Sequence, residues 1–190
     1  CYMLPTAENN AKKLEWKTEN GELFFNDKPF HLKGVSWFGF ETPARMPHGL
    51  WQNDLDSLLS FLKENNFNAI RLPFSIVLMH YYKESIQWNM PLLDQFLHGK
   101  TSLQMIELIV DKAAEYDILI MLDFHRINEE VIPELWYDQE MSPEQIMQAW
   151  DQVLTLVKGK WNVFALDLKN EPHGAATWGS GNEWTDWNLA

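Results

Sequence analysis

The chain has 190 residues, 46% of them hydrophobic and 22% charged, which is the length and balance of one globular core. Its net charge of −12 argues against a nucleic-acid surface, which needs clustered Lys and Arg, and no apolar run is long enough to span a bilayer. Cys1 is the single cysteine, so no disulfide can form within the chain. The ten tryptophans are unusually many, and such rings serve cores, interfaces and sugar platforms alike. The first residue is not Met, and no charged start with an apolar core follows. Either a leader has been removed or the sequence is partial, and the residues leave the location open.

Residues 1–20 are set apart as an amino-terminal tail, polar and without clear period to about residue 15. The domain itself is expected over 21–190. Gly21 to Phe30 reads as two short strands around an Asn26-Asp27 turn, a hairpin able to plug the bottom of a barrel. His31 to Trp37 reads as a first core strand, with Gly34 allowing close packing. A loop rich in Pro, Gly and aromatics follows, carrying Glu41, His48 and Trp51. Asp54 to Asn66 predicts a helix with Leu55, Leu58, Leu59 and Leu62 on one stripe. Ala69 to Phe74 is the next strand, carrying Arg71, and Ser75 to Lys100 is a long irregular stretch of the kind that is usually functional.

Thr101 and Gln104 form a capping-box pattern that starts a second helix striped by Leu103, Ile106, Val110 and Ala113. Ile118 to His125 is a third strand, apolar until Asp123. Ser142, Pro143 and Glu144 open a third helix with a cap, a proline in the first turn and an early acid. Its buried face is Ile146, Trp150, Val153 and Val157. The fourth strand runs from Val163 toward Glu171. Side chains alternate along it, so Phe164, Leu166 and Leu168 share an apolar face and Ala165, Asp167, Lys169 and Glu171 a polar one. Pro172 biases Glu171 toward an extended backbone at the rim.

Alternating strands and helices predict a parallel sheet with right-handed crossovers. The fold class expected is α/β: the first half, four β/α units, of a (β/α)8 TIM barrel with an N-terminal β-hairpin. A whole barrel takes about 250 residues, and an open half leaves two unpaired edges, so the complete protein is expected to continue past Ala190. A doubly wound open sheet is the rival, but no GxGxxG or P-loop supports a nucleotide site.

Strand parity puts Arg71, Asp123, His125, Asp167, Lys169 and Glu171 in one polar layer. Buried charges need partners, so Asp123 and Asp167 read as structural partners of Arg71 or Lys169 rather than as catalysts. His125 reads either as a hydrogen-bond donor to a substrate hydroxyl or as a satisfied core histidine. No HExxH or cysteine cluster supports a metal at Asp123-Phe124-His125, and no GxSxG supports a serine hydrolase.

Arg71-Leu72-Pro73-Phe74, Asp123-Phe124-His125-Arg126 and Asp167-Leu168-Lys169-Asn170-Glu171-Pro172-His173, in that order at three strand ends, resemble glycoside hydrolase family 5. Gly34 to Thr42, Pro47 to Trp51, and Trp178-Gly179-Ser180-Gly181 through Asp186-Trp187 resemble its branch of endo-β-1,4-glucanases. The resemblance runs from about Gly21 to the end of the chain. It implies a retaining hydrolase of β-glucan, acting without metal or organic cofactor, secreted because of its substrate, and monomeric when complete. No nucleic-acid or membrane partner is implied.

By the same resemblance Glu171 matches the general acid/base, and Asn170 the neighbour whose amide bonds a sugar 2-hydroxyl. Arg71 matches the arginine that supports the nucleophile, and His125 a subsite histidine. Retention needs two carboxyl groups about 5 Å apart, one protonating the leaving oxygen and one attacking the anomeric carbon. The family's nucleophile is a glutamate at the end of the seventh strand, and Glu41, Glu129 and Glu130 match no such position. These 190 residues alone are therefore expected to be inactive. Trp37, Trp88 and Trp178 are the candidates for lining a glucan cleft; Trp150 and Trp161 read as core, and Trp51 and Trp136 fit either role. Mannan or β-1,3-glucan as the polymer, and a non-catalytic carbohydrate-binding half-barrel, are the alternatives.

Overall fold

The computed structural model describes residues 15–80, 97 and 99–190. Three short strands, β1 (Trp16–Glu19), β2 (Glu22–Phe25) and β3 (Lys28–Pro29), form an antiparallel sheet in that order. Both connections are two-residue turns at positive φ. Asn20 and Gly21 sit at 52° and 81°, and Asn26 and Asp27 at 48° and 62°, the pairing that matches strand twist in a tight hairpin. The tail expected through residue 20 is thus corrected: β1 begins at Trp16, in register with Phe25. The ring of Trp16 lies 4.6 Å from that of Phe25 and 5.6 Å from that of Phe164. This small sheet packs over Ala69 and Leu119, the first residues of two parallel strands, and so covers their amino ends.

Those strands belong to a parallel sheet ordered β4 (Gly34–Ser36), β5 (Ala69–Ser75), β6 (Leu119–Arg126) and β7 (Val163–Asp167). Between them run α1 (Leu55–Glu64), α2 (Ile76–His80), α3 (Ser102–Glu115) and α4 (Pro143–Val157). A Cβ on Gly34 would stand 3.2 Å from the carbonyl oxygen of Ala69, so the pairing of β4 with β5 favours a glycine there. Asp54, Thr101 and Ser142 cap α1, α3 and α4, the last two in full capping boxes with Gln104 and Gln145. The helix Ile76–His80 corrects the irregular reading of the stretch after β5; Tyr81, Tyr82 and Trp88 lie outside the described residues.

The core fills the space between the sheet and α1, α3 and α4. Ile70, Leu72, Phe74, Ile120, Leu122 and Phe124 are fully buried on the helix-facing side, where alternation places them. Strand β7 differs: Leu166 is 37% and Leu168 56% exposed. Their apolar face has no helix over it among the described residues.

Candidate active site

The site forms at the carboxyl ends of the parallel strands. Arg71 on β5 is the hub. Its Nη1 lies 3.0 Å from Asp123 Oδ2 on β6, its Nη2 donates to Asp167 Oδ2 at 2.7 Å, and Nε donates to the same oxygen at 3.2 Å. The two aspartates are thus structural partners of one guanidinium. Nη2 also donates to Asn170 Oδ1 at 2.9 Å, which fixes which way that amide faces.

His125 closes the network. Register between β5 and β6 slips after Phe74, so that Ser75 pairs with Arg126 and His125 is passed over. Such a bulge re-aims a side chain. Its Nδ1 lies 2.7 Å from Asp123 Oδ2, and its Nε2 faces Asn170 Nδ2 at 3.4 Å. Donation from Nδ1 to the carboxylate leaves Nε2 as the acceptor. Arg71, Asp123, His125 and Asn170 therefore form a closed ring of polar contacts. Asp123 is 0% exposed, and burial pushes its carboxyl up while His125 and Arg71 pull it back.

Strand β7 ends at Asp167, so Lys169, Asn170 and Glu171 stand on a bend beyond it. Asn170 is buried and its backbone N–H donates to the carbonyl of Phe124 at 2.8 Å, which locks the bend onto β6. Lys169 is buried under the Phe124 ring, 5.9 Å from its centre, and donates to the carbonyl of Asn170. Burial lowers its pKa to about 8, against the pull of Asp123, Glu171 and Asp167. Glu171 follows directly, with its side chain exposed. Its backbone is not extended: φ is 47°, in the left-handed region. The bias from Pro172 is overridden here, and His173 Nδ1, 2.7 Å from the Glu171 carbonyl, helps hold the turn.

The aromatic candidates divide. Trp37 follows β4, is partly buried against the core, and donates its indole N–H to the carbonyl of His48 at 2.8 Å. Trp178 is 73% exposed on the loop after Glu171. Trp88 lies outside the described residues. Trp150 and Trp161 pack into the two apolar clusters. Trp51 and Trp136 also lean on the core, and the Trp136 ring sits 5.3 Å from that of Trp187. Glu41 is buried and accepts from the Gly39 N–H at 2.7 Å, while Glu129 accepts from Arg45. Both hold loops in place.

Sequence reasoning missed Glu134. Its carboxylate accepts from the N–H of Ala175 at 2.8 Å, and its carbonyl accepts from the N–H of His173 at 3.2 Å. No spacing marks a glutamate in the middle of an irregular loop. Among the described residues, no group of three or more His, Cys, Asp or Glu could hold a metal ion, and no helix is long and apolar enough to cross a membrane.

A sequence model of the family described as Cellulase (glycosyl hydrolase family 5) matches residues 26–190. The chain is 36% identical to an endoglucanase of Paenibacillus polymyxa over 192 aligned positions, covering 100% of the chain and 48% of that protein. It is 38% identical to the major extracellular endoglucanase of Xanthomonas campestris pv. campestris, covering 86% of the chain and 34% of that protein. The chain therefore spans about half the length of the first relative and a third of the second. Among solved structures, a cellotetraose complex of an endocellulase from Pyrococcus horikoshii matches with a TM-score of 0.81 at 36% identity, over 92% of this chain and 51% of that one. The catalytic domain of the Xanthomonas enzyme matches with a TM-score of 0.77 at 36% identity, over 85% of this chain and 46% of that one.

Proposed function

The chain belongs to the cellulases of glycosyl hydrolase family 5, and from that premise we propose that the complete protein cleaves β-1,4-glucosidic bonds of cellulose or related β-glucans with retention. Glu171 is the general acid/base. Its carboxyl gives a proton to the glycosidic oxygen as the bond from that oxygen to the anomeric carbon breaks, while a second carboxylate attacks the same carbon. Water then attacks the glycosyl–enzyme bond, Glu171 takes the proton from that water, and the second carboxylate leaves. In this reading the four parallel strands are the first half of a (β/α)8 barrel. The nucleophile stands on the second half, outside these 190 residues.

One observation carries the proposal. The bend that presents Glu171 is tied to two neighbouring strands, through the Asn170 N–H on Phe124 and the Asn170 amide oxygen on Arg71. With that oxygen committed to Arg71 and one amide hydrogen facing His125 Nε2, the second amide hydrogen of Asn170 is left for a sugar hydroxyl. The exposed ring of Trp178 offers an apolar platform for a pyranose face. A substrate of this size acts outside the cell, and the named extracellular relative supports secretion. The chemistry uses protein carboxylates alone, and a monomer suffices for it.

The test compares the complete protein with its Glu171→Gln variant on cellotetraose and on soluble β-glucan. The general-acid role predicts a loss of about 10²–10⁴-fold in kcat with folding unchanged. Retention of activity within threefold would remove Glu171 from the reaction. Faster turnover of mannan or β-1,3-glucan in the same assays would keep the mechanism and change the substrate.

A further inference from the structure

The left-handed backbone at Glu171 needs support from outside its own segment. A non-glycine residue at positive φ is strained, and the following proline narrows its options further. The strand side of the bend is held by Asn170. The downstream side is held by a residue from another loop.

Glu134 grips residues 173–175 with its backbone and side chain at once. Its carbonyl accepts from the His173 N–H at 3.2 Å, and its Oε2 accepts from the Ala175 N–H at 2.8 Å. Between these lies Gly174 at φ 55°, and a Cβ there would fall 2.3 Å from Glu134 Cδ and 2.5 Å from Oε2. The carboxylate thus rests directly on the glycine, where an added Cβ would have to displace it. His173, gripped from this side, contacts the Glu171 carbonyl through Nδ1 at 2.7 Å. Glu134 itself stands on a braced segment. Nearby, Trp136 packs on the core, and the Tyr137 hydroxyl donates to the Trp184 carbonyl at 2.7 Å.

We infer that Glu134 is a positioning residue for proton transfer: clamped on Gly174 and Ala175, it holds the 171–175 turn so that the Glu171 carboxyl faces the leaving oxygen. This inference rests on the acid/base reading of Glu171. It asks Glu134 for a hydrogen-bond acceptor and a fitted shape, and for no charge.

The experiment uses the complete protein with two substrates. Cellotetraose has a leaving sugar that must be protonated, whereas the dinitrophenolate of a dinitrophenyl β-cellobioside departs with little help. Glu134→Ala is expected to lower kcat/KM for cellotetraose about tenfold or more, a fraction of the general-acid effect, and to leave the aryl substrate within twofold. Glu134→Gln keeps an oxygen for the Ala175 N–H and should recover most of the loss. Where Glu134→Ala does not fold, Gly174→Ala reaches the same contact from the other side and should show the same leaving-group selectivity. Equal losses on both substrates, or none on either, would overturn the clamp while Glu171→Ala still shows the selectivity. A Glu171→Ala variant without selectivity would overturn the acid/base reading, and the clamp with it.

Discussion

Lys169 shows how a single residue reports on the polar layer. It is 4% exposed, so its ammonium is held away from water, and burial lowers its pKa to about 8 from an ordinary 10.5. The sign of the effect on stability follows from proton counts. Between pH 8 and 10.5 the unfolded chain keeps its proton at this position while the folded one releases it. The unfolded state then binds more protons, and stability rises with pH through that window. Below pH 8 the folded protein carries the full cost of a buried charge, of order 3 kcal/mol. Lys169→Met removes the charge but keeps the stem. The stability of the natural protein relative to this variant should therefore climb between pH 8 and 10.5, read from urea midpoints at several pH values. A difference that stays flat across the window would show that the ammonium is solvated in the folded state.

At the scale of elements, the loop after Glu171 is organised by one carboxylate. Asp186 accepts from the N–H of Gly179 and of Gly181, each at 2.8 Å, and from that of Asn188 at 3.1 Å. These backbone donors hold its pKa below the usual carboxylate range. The loop's support is therefore complete above about pH 4 and is lost as pH falls toward the lower folded value. Asp186→Asn replaces one acceptor oxygen with a donor, so the amides of Gly179 and Gly181 should exchange hydrogen at least about tenfold faster at pH 7, a loss of one hydrogen bond's worth of protection. Unchanged exchange would mean that Thr177, paired with Thr185 and Trp187, suffices to hold the loop.

Helices and strands were legible because their signals are local. Thr101 with Gln104 and Ser142 with Pro143 mark helix starts by nearby hydrogen bonding and ring geometry, and alternation put Arg71, Asp123 and His125 on one side of the sheet. What escaped the sequence depends on distant contacts. The φ of Glu171 answers to His173 and, through it, to Glu134, which outweigh a proline's steric bias. The helix Ile76–His80 carries no cap signal, and its apolar run reads equally well as a continuation of β5. The indole N–H of Trp37, a cleft-wall candidate, is held by the carbonyl of His48 across the loop, a pairing that no local signal marks.

For the whole molecule, the open sheet is the decisive feature. Parallel sheets are stable with both faces and both edges covered, yet β4 and β7 each have a single neighbour and Leu166 and Leu168 stand uncovered among the described residues. Asp123 and Asp167 are committed to Arg71, so in the proposed reaction Glu171 serves as the acid/base and a second carboxylate is still required. Closing the sheet and supplying the second carboxylate are the same requirement if the rest of a barrel brings both. Expressed alone, these 190 residues should therefore associate through their edges and release no reducing sugar from cellulose. Co-expressed with a second half that completes the barrel, they should form a one-to-one complex that turns over β-glucan, and Glu171→Gln in this half should abolish that turnover. Cellulose hydrolysis by the purified 190-residue chain, lost on Glu171→Gln, would place the nucleophile within these residues and defeat the half-barrel reading.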